Sequence, residues 1–151
     1  MTTPFTHILQ FDGGARGNPG PAAGAAVLFA LDGTRVFELA VYLPHATNNL
    51  AEYAGLEEGL TRATEHGIRR ICIQGDSLLV IQQIAGDWKV KNEGLKKCYS
   101  RVMKRLQSDD YDYVEAYHIP RDQNAVADRL VNEAIDQQHS FYRITATASS
   151  H

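Results

Sequence analysis

Three strand-like runs follow one another between residues 7 and 43, with only turn chemistry between them. Residues 7–12 (HILQFD) alternate in the manner of a half-buried strand. The stretch GGARGNPGP follows, and its Gly and Pro content reads as a turn. AGAAVLFAL (23–31) and RVFELAVYL (35–43) are then joined at Asp32-Gly33, a hairpin signal. Three antiparallel strands in a row make a meander, and everything downstream must pack on that sheet.

The downstream pattern changes period. After Pro44, Thr47 or Asn48 is placed to cap a helix that Gly67 ends. Tyr53, Leu56, Leu60 and Ala63 form its buried stripe, and the small Gly55 and Gly59 allow close approach to the sheet. RRICIQG (69–75) reads as a short buried strand. A helix over about 77–85 follows, then one over about 93–107 with Leu95, Cys98, Tyr99, Val102 and Leu106 on one face. YDYVEAYHI (111–119) is a further strand. A last helix starts near Asn124 or Ala125 and turns Leu130, Val131, Ala134 and Ile135 inward. The order is β-β-β-α-β-α-α-β-α, an α/β fold with a mixed five-stranded sheet flanked by helices. One domain is expected over residues 1–142. The polar end, 143–151, is expected to be loose, although RITAT is suited to an edge strand.

At 151 residues the chain is long enough to bury a sizeable core. No apolar run reaches the length of a membrane span, and MTTPFTH lacks the pattern of a secretory signal. Cys72 and Cys98 both fall in apolar runs, as expected of reduced thiols in a cytoplasmic protein. The net charge of −3 does not by itself suggest a nucleic-acid partner. The distribution does: Lys89, Lys91, Lys96, Lys97, Arg101, Lys104 and Arg105 crowd one segment against Glu93 alone. That segment reads either as a solvated helix face or as a phosphate-contacting surface.

Four acids stand in distinct local settings: Asp12 in FDGGARGNPGP, Glu52 in TNNLAEY, Asp76 in IQGDS and Asp128 in NAVADRL. A carboxylate at the end of an apolar strand is costly to bury without a cation beside it. If the strands ending in Asp12 and Asp76 are parallel neighbours, both carboxylates emerge at one sheet edge. Taken singly, Asp128 suits a helix N-terminus, Glu52 an exposed helix face and Asp76 a helix cap. Together they suit hard divalent cations such as Mg²⁺ or Mn²⁺. Two cations held so activate a water and stabilise the leaving oxygen of a phosphodiester. The chain holds no convincing Ser/His/Asp or Cys/His set.

Over residues 5–140 the chain resembles type 1 ribonuclease H. The resemblance rests on FDGGARGNPGPAAGAAV, TNNLAEYAGLEEGL, GDSLLVIQQIAGDWKVKN and HIPRDQNAVADRLVNEA, in the family's order. It implies the ribonuclease H-like fold and hydrolysis of the RNA strand of RNA/DNA hybrids, leaving 5′-phosphate and 3′-hydroxyl ends. It places the metal tetrad on Asp12, Glu52, Asp76 and Asp128, holding two Mg²⁺ that Mn²⁺ can replace. It assigns substrate contacts to Gly13, Gly14 and Ala15, beside the RNA 2′-hydroxyls, and to Asn18, Thr47, Asn48 and Asn49. A monomer is the family-like expectation.

Three departures from the family pattern bear on the site. The segment after Trp88 is too short for the basic helix-loop protrusion of many bacterial members, and GDWKVKN resembles members without it. Lys89, Lys91 and the basic face of helix 93–107 are the candidate substitutes, with Trp88 either stacking on a deoxyribose or lining the DNA-binding channel, or else a partly buried aromatic between helices. Leu78 stands where some members have a polar minor-groove contact. In the last loop, PRDQN favours Arg121 over His118 as the residue assisting product release, since VEAYHI places His118 in a strand. Two other readings stay open: a same-fold nuclease acting on double-stranded RNA or DNA junctions, and an inert nucleic-acid-binding module.

Overall fold

The computed structural model describes residues 2–146. The meander forms as β1 (His7–Ala15), β2 (Gly20–Ala30) and β3 (Arg35–Ala46). It is followed by α1 (Asn48–Glu65), β4 (Arg70–Gly75), α2 (Leu78–Ile84), α3 (Glu93–Leu106), β5 (Tyr113–His118), a 3-10 turn at Arg121–Gln123, α4 (Ala125–Gln137) and β6 (Phe141–Ile144). The sheet order is β5-β4-β1-β2-β3-β6. β1, β4 and β5 run parallel, while β2, β3 and β6 pair antiparallel.

The sheet carries a core on each face. On one, Leu9, Phe11, Leu28, Ile71 and Ile73 pack against Tyr53, Leu56 and Leu60 of α1 and against Val80 and Val102 of α2 and α3. On the other, Ala23, Ala25, Val27 and Ala40 lie beneath Leu130, Val131 and Ala134 of α4. Small residues on that face let α4 sit close. The buried Tyr53 hydroxyl donates to Gln83 Oε1 (2.5 Å), giving the polar tip a partner inside the core.

α1 starts where expected: Thr47 Oγ1 accepts from the Leu50 N–H (3.2 Å). It closes at Gly67, whose φ of +75° suits only glycine well. Its approach to the sheet is set by missing side chains. A Cβ on Gly55 would fall 2.5 Å from the Ala25 nitrogen and 2.9 Å from the Asp12 carbonyl oxygen. One on Gly13 would strike the backbone at Ala51 and Glu52, and one on Gly24 the backbone at Ala51 and Gly55. The helix that carries Glu52 therefore lies backbone to backbone on the strand that carries Asp12.

Two expectations need correction. The sheet has six strands, not five. Phe141–Ile144 pairs with Ala40–Phe37 at the free edge of β3, and the Thr145 and Ala146 N–H groups both donate to the Val36 carbonyl. Residues 143–146 thus belong to the folded body, as the edge-strand reading of RITAT anticipates, so the boundary at 142 and a loose tail from 143 do not stand; residues 147–151 lie outside the described part. Tyr142 holds the strand down. Its hydroxyl shares a 2.7 Å hydrogen bond with His66 Nε2, and Arg62 sits 4.1 Å over its ring. The Gly-rich turn is also shorter than expected, because β1 continues through Gly13, Gly14 and Ala15 in register with Gly24, Ala23 and Ala22.

Candidate metal-binding active site

β1 and β4 are parallel neighbours with Phe11 opposite Gly75, so the next residues, Asp12 and Asp76, emerge side by side. The close seat of α1 brings in Glu52. Carboxylate oxygens of Asp12, Glu52 and Asp76 all lie within 4.8 Å of one another. Asp12 and Glu52 are buried, at 6% and 7% exposure. No described cation pairs with any of these acids, and Glu52 Oε2 is buried without a hydrogen-bond partner.

The electrostatic consequence follows directly. Burial first, then the Asp76 carboxylate, pushes Asp12 up to about 7. Burial, then Asp12 and Asp76, pushes Glu52 up to about 10. Like charges are crowded where water cannot shield them. The donor set is anionic oxygen only, and one oxygen is already orphaned. Such a set fits a hard divalent cation.

Asp128 stands in the first turn of α4, half-buried and outside the tight trio. It lines the same groove, a cavity of about 530 Å³ between the β1 end and α4. A residue that sequence reasoning treated only as a helix start fixes its placement. Asn124 is fully buried, and its Nδ2 donates to the Phe11 carbonyl (2.8 Å) instead of capping the helix. This bond ties the start of α4 to the strand residue next to Asp12. Nothing local distinguishes such an asparagine from a cap, so only the assembled fold reveals it.

The turn beside Asp12 is held from α1 as well. The Asn48 N–H donates to Asn18 Oδ1 (3.0 Å), and Asn48 Oδ1 accepts from the Ala15 N–H (2.8 Å). Both asparagines are exposed and keep their amide hydrogens free of these two bonds. Gly13, Gly14 and Ala15 form the groove wall with Asn48. Thr47 is engaged as the α1 cap, and Asn49 is half-buried in the first turn. Asp76 is not a cap; Ser77 is, accepting from the Val80 N–H (3.3 Å).

His118 and Arg121 both line the groove. His118 ends β5 with Nε2 3.3 Å from the Asp76 carbonyl oxygen, and Arg121 opens the 3-10 turn, exposed. Trp88, Lys89 and Lys91 lie elsewhere, on the exposed connection between α2 and α3. Trp88 is 45% exposed, which fits both a partly buried aromatic beside the helices and a ring open to a ligand. Leu78 is exposed as well. One long helix, α3, follows this connection, as the short segment implies. Its basic face is partly neutralised: Arg101 makes a two-point contact with Glu57 of α1 (2.6 and 3.1 Å), and Lys96 pairs with Glu93 (3.0 Å).

Comparison with known proteins gives a consistent set of relatives. A family model described as reverse transcriptase-like matches residues 10–134. The bifunctional protein Rv2228c of Mycobacterium tuberculosis is 40% identical over 130 residues, covering 85% of this chain. The chain spans only 35% of that protein's length. The crystal structure of RNase H1 from Halobacterium salinarum superposes with a TM-score of 0.82 at 40% identity, covering 87% of this chain and 98% of that one. LC11-RNase H1, solved in complex with an RNA/DNA hybrid, gives a TM-score of 0.80 at 36% identity, covering 87% and 98%.

Proposed function

The chain belongs to the type 1 ribonuclease H family, and on that premise we propose that it is an endonuclease hydrolysing the RNA strand of RNA/DNA hybrids. The observation that carries this reading is the convergence of Asp12, Glu52 and Asp76 in a groove that Asp128 also lines. A binding module has no use for buried like charges that destabilise one another. A two-cation phosphodiesterase does.

The four carboxylates would hold two Mg²⁺ ions, with Mn²⁺ able to substitute. Bound there, divalent cations supply an activated water and neutralise charge on the phosphodiester oxygens, leaving 5′-phosphate and 3′-hydroxyl ends. The protein's own part is positional. Gly13, Gly14 and Ala15 present a backbone wall without bulky side chains, allowing a ribose close enough for its 2′-hydroxyl to be sensed. Asn18 and Asn48, fixed through their carbonyl oxygens, offer amide donors to the hybrid backbone, flanked by Thr47 and Asn49. Arg121, whose guanidinium offers several N–H donors, is suited to help the anionic product leave, with His118 lining the same groove. Trp88, Lys89 and Lys91 are exposed and available to the second strand. All four carboxylates come from one chain, in keeping with a monomer. Both cysteines are free and buried, in keeping with a reducing compartment such as the cytoplasm.

The test is cleavage of matched RNA/DNA hybrid, double-stranded RNA and double-stranded DNA, with Mg²⁺ and with chelator. Hybrid cleaved in the RNA strand alone, lost with chelator and restored by Mg²⁺ or Mn²⁺, is expected. Preferred cutting of double-stranded RNA or DNA would move the protein to another substrate class. Binding of hybrid without cutting under any metal would make it an inert module.

A further inference from the structure

The groove that holds the carboxylates extends past them along α4, and its far wall carries an arginine the reaction as described leaves unused. Arg16 follows the last residue of β1 and lines the groove together with Asn132 and Val131. Its Nη1 lies 2.6 Å from Asp136 Oδ1, and its Nη2 donates to Asn132 Oδ1 (3.3 Å). Asn132 in turn donates from Nδ2 to the Asp128 carbonyl (3.1 Å). The guanidinium is thus oriented by two side chains of α4, the helix that presents Asp128.

This contact is a poor investment in stability. The Arg16 and Asp136 side chains are 49% and 64% exposed, and ion pairs so open to water add little to stability. It makes better sense as orientation. A guanidinium has five N–H donors in a rigid fork, and two partners leave several of them free for an anion. The groove wall is otherwise short of positive charge, with four carboxylates and only Arg16 and Arg121 as arginines. Arg121 precedes the N-terminus of α4, whereas Arg16 sits beside its C-terminal half, so the two flank Asp128 along the helix.

We propose that Arg16 binds a backbone phosphate of the RNA strand, to one side of the phosphate being cut, with Asp136 and Asn132 holding the guanidinium in place. The proposal rests on the ribonuclease reading and adds a binding subsite to it. The strand lying over the carboxylates is the one cleaved, so the phosphate Arg16 meets belongs to that strand.

The experiment uses the full chain and a short hybrid cut at a single position, with kinetics over a range of salt. Arg16→Ala should raise KM on the order of tenfold with kcat changed little, as for losing one charged hydrogen-bond contact. The slope of log KM against log salt should fall by about 0.7–0.9, one phosphate contact. Asp136→Asn, which leaves the arginine charge, should raise KM less and leave the slope unchanged. A neutral methylphosphonate, walked along the RNA strand, should identify one linkage that weakens wild type but not Arg16→Ala. The assignment is overturned if no such linkage exists. It is equally overturned if Arg16→Ala and Asp136→Asn raise KM alike with neither changing the slope, for then Arg16 only ties the turn to α4. Wild type that cuts no hybrid brings down both readings; wild type that cuts hybrid, with a slope that Arg16→Ala leaves unmoved, brings down this one alone.

Discussion

The carboxylate cluster and the basic face of α3 treat charge in opposite ways. At the cluster, Asp12, Glu52 and Asp76 are buried or half-buried beside one another with no described cation against them. On α3 the charges are exposed apart from the half-buried Arg105, and several are matched: Arg101 to Glu57, Lys96 to Glu93, Arg105 within 3.8 Å of Asp110. A surface that pairs its own charges has less left for a ligand. A site that leaves like charges buried and unpaired is unstable until a ligand of opposite charge arrives. The proposed chemistry is therefore assigned to the acids and not to the lysine-rich segment.

The largest expected effect tests the first half of that contrast. Asp12→Asn should lower hybrid cleavage by at least about a hundredfold, more than loss of a group that merely orients a ligand. Cleavage at the wild-type rate would break the contrast. Gly55→Ala asks whether the close seat of α1 is what forces the acids together. The new methyl meets the backbone at Ala25 and Asp12, so a cost of about 1–3 kcal/mol in denaturant unfolding is expected, with reduced cleavage. Unchanged stability would mean that α1 has room to move and that the crowding is not imposed by the fold.

Smaller effects are expected from the groove arginine and from α3. Arg121 is a groove cation without a described acid partner, so Arg121→Ala should slow turnover by about tenfold, more than His118→Ala does. The reverse order would give the histidine the product-release role. Replacing Lys96, Lys97 and Lys104 together with Ala should weaken hybrid binding only a few-fold, since part of that face is already paired, and should flatten its salt dependence. An unchanged salt slope would return α3 to a solvated helix face, while a loss as large as that from Arg16→Ala would show it to be a true handle.

The strand and helix pattern was legible because it is local: alternation in HILQFD, the stripe Tyr53-Leu56-Leu60-Ala63, the Gly67 stop. So was the parallel placement of Asp12 and Asp76, which follows from two strands that each end in an acid. What escaped depends on partners far away in the chain. Gly13 and Gly14 read as turn residues, yet they continue β1, because α1 needs the missing side chain at Gly13. Asn124 reads as a cap, yet it reaches the Phe11 carbonyl across the sheet. The edge strand suggested by RITAT does form, but its start at Phe141 and its seat on the free edge of β3 depend on Tyr142 docking against His66 and Arg62. The basic face of α3 looked unopposed because Glu57, which engages Arg101, lies on another helix.

The fold holds the Asp12 and Glu52 carboxyls together at a cost that a bound divalent cation should relieve. Both carboxyls are raised above their unfolded values, so the native state keeps protons that the unfolded chain has lost. Their contribution is therefore favourable at low pH and lost as pH rises from about 4 through about 7, and a cation should replace the missing proton. The direct measurement is the melting temperature of wild type and Asp12→Asn between about pH 5 and pH 8, metal-free and with millimolar Mg²⁺. Three results are expected: the metal-free wild type melts a few degrees below the variant near the upper pH, Mg²⁺ closes that gap for wild type, and the Mg²⁺ effect shrinks toward the lower pH. A metal-free wild type as stable as Asp12→Asn across the range, and indifferent to Mg²⁺ and Mn²⁺, would mean that the clustered acids impose no such cost and hold no cation.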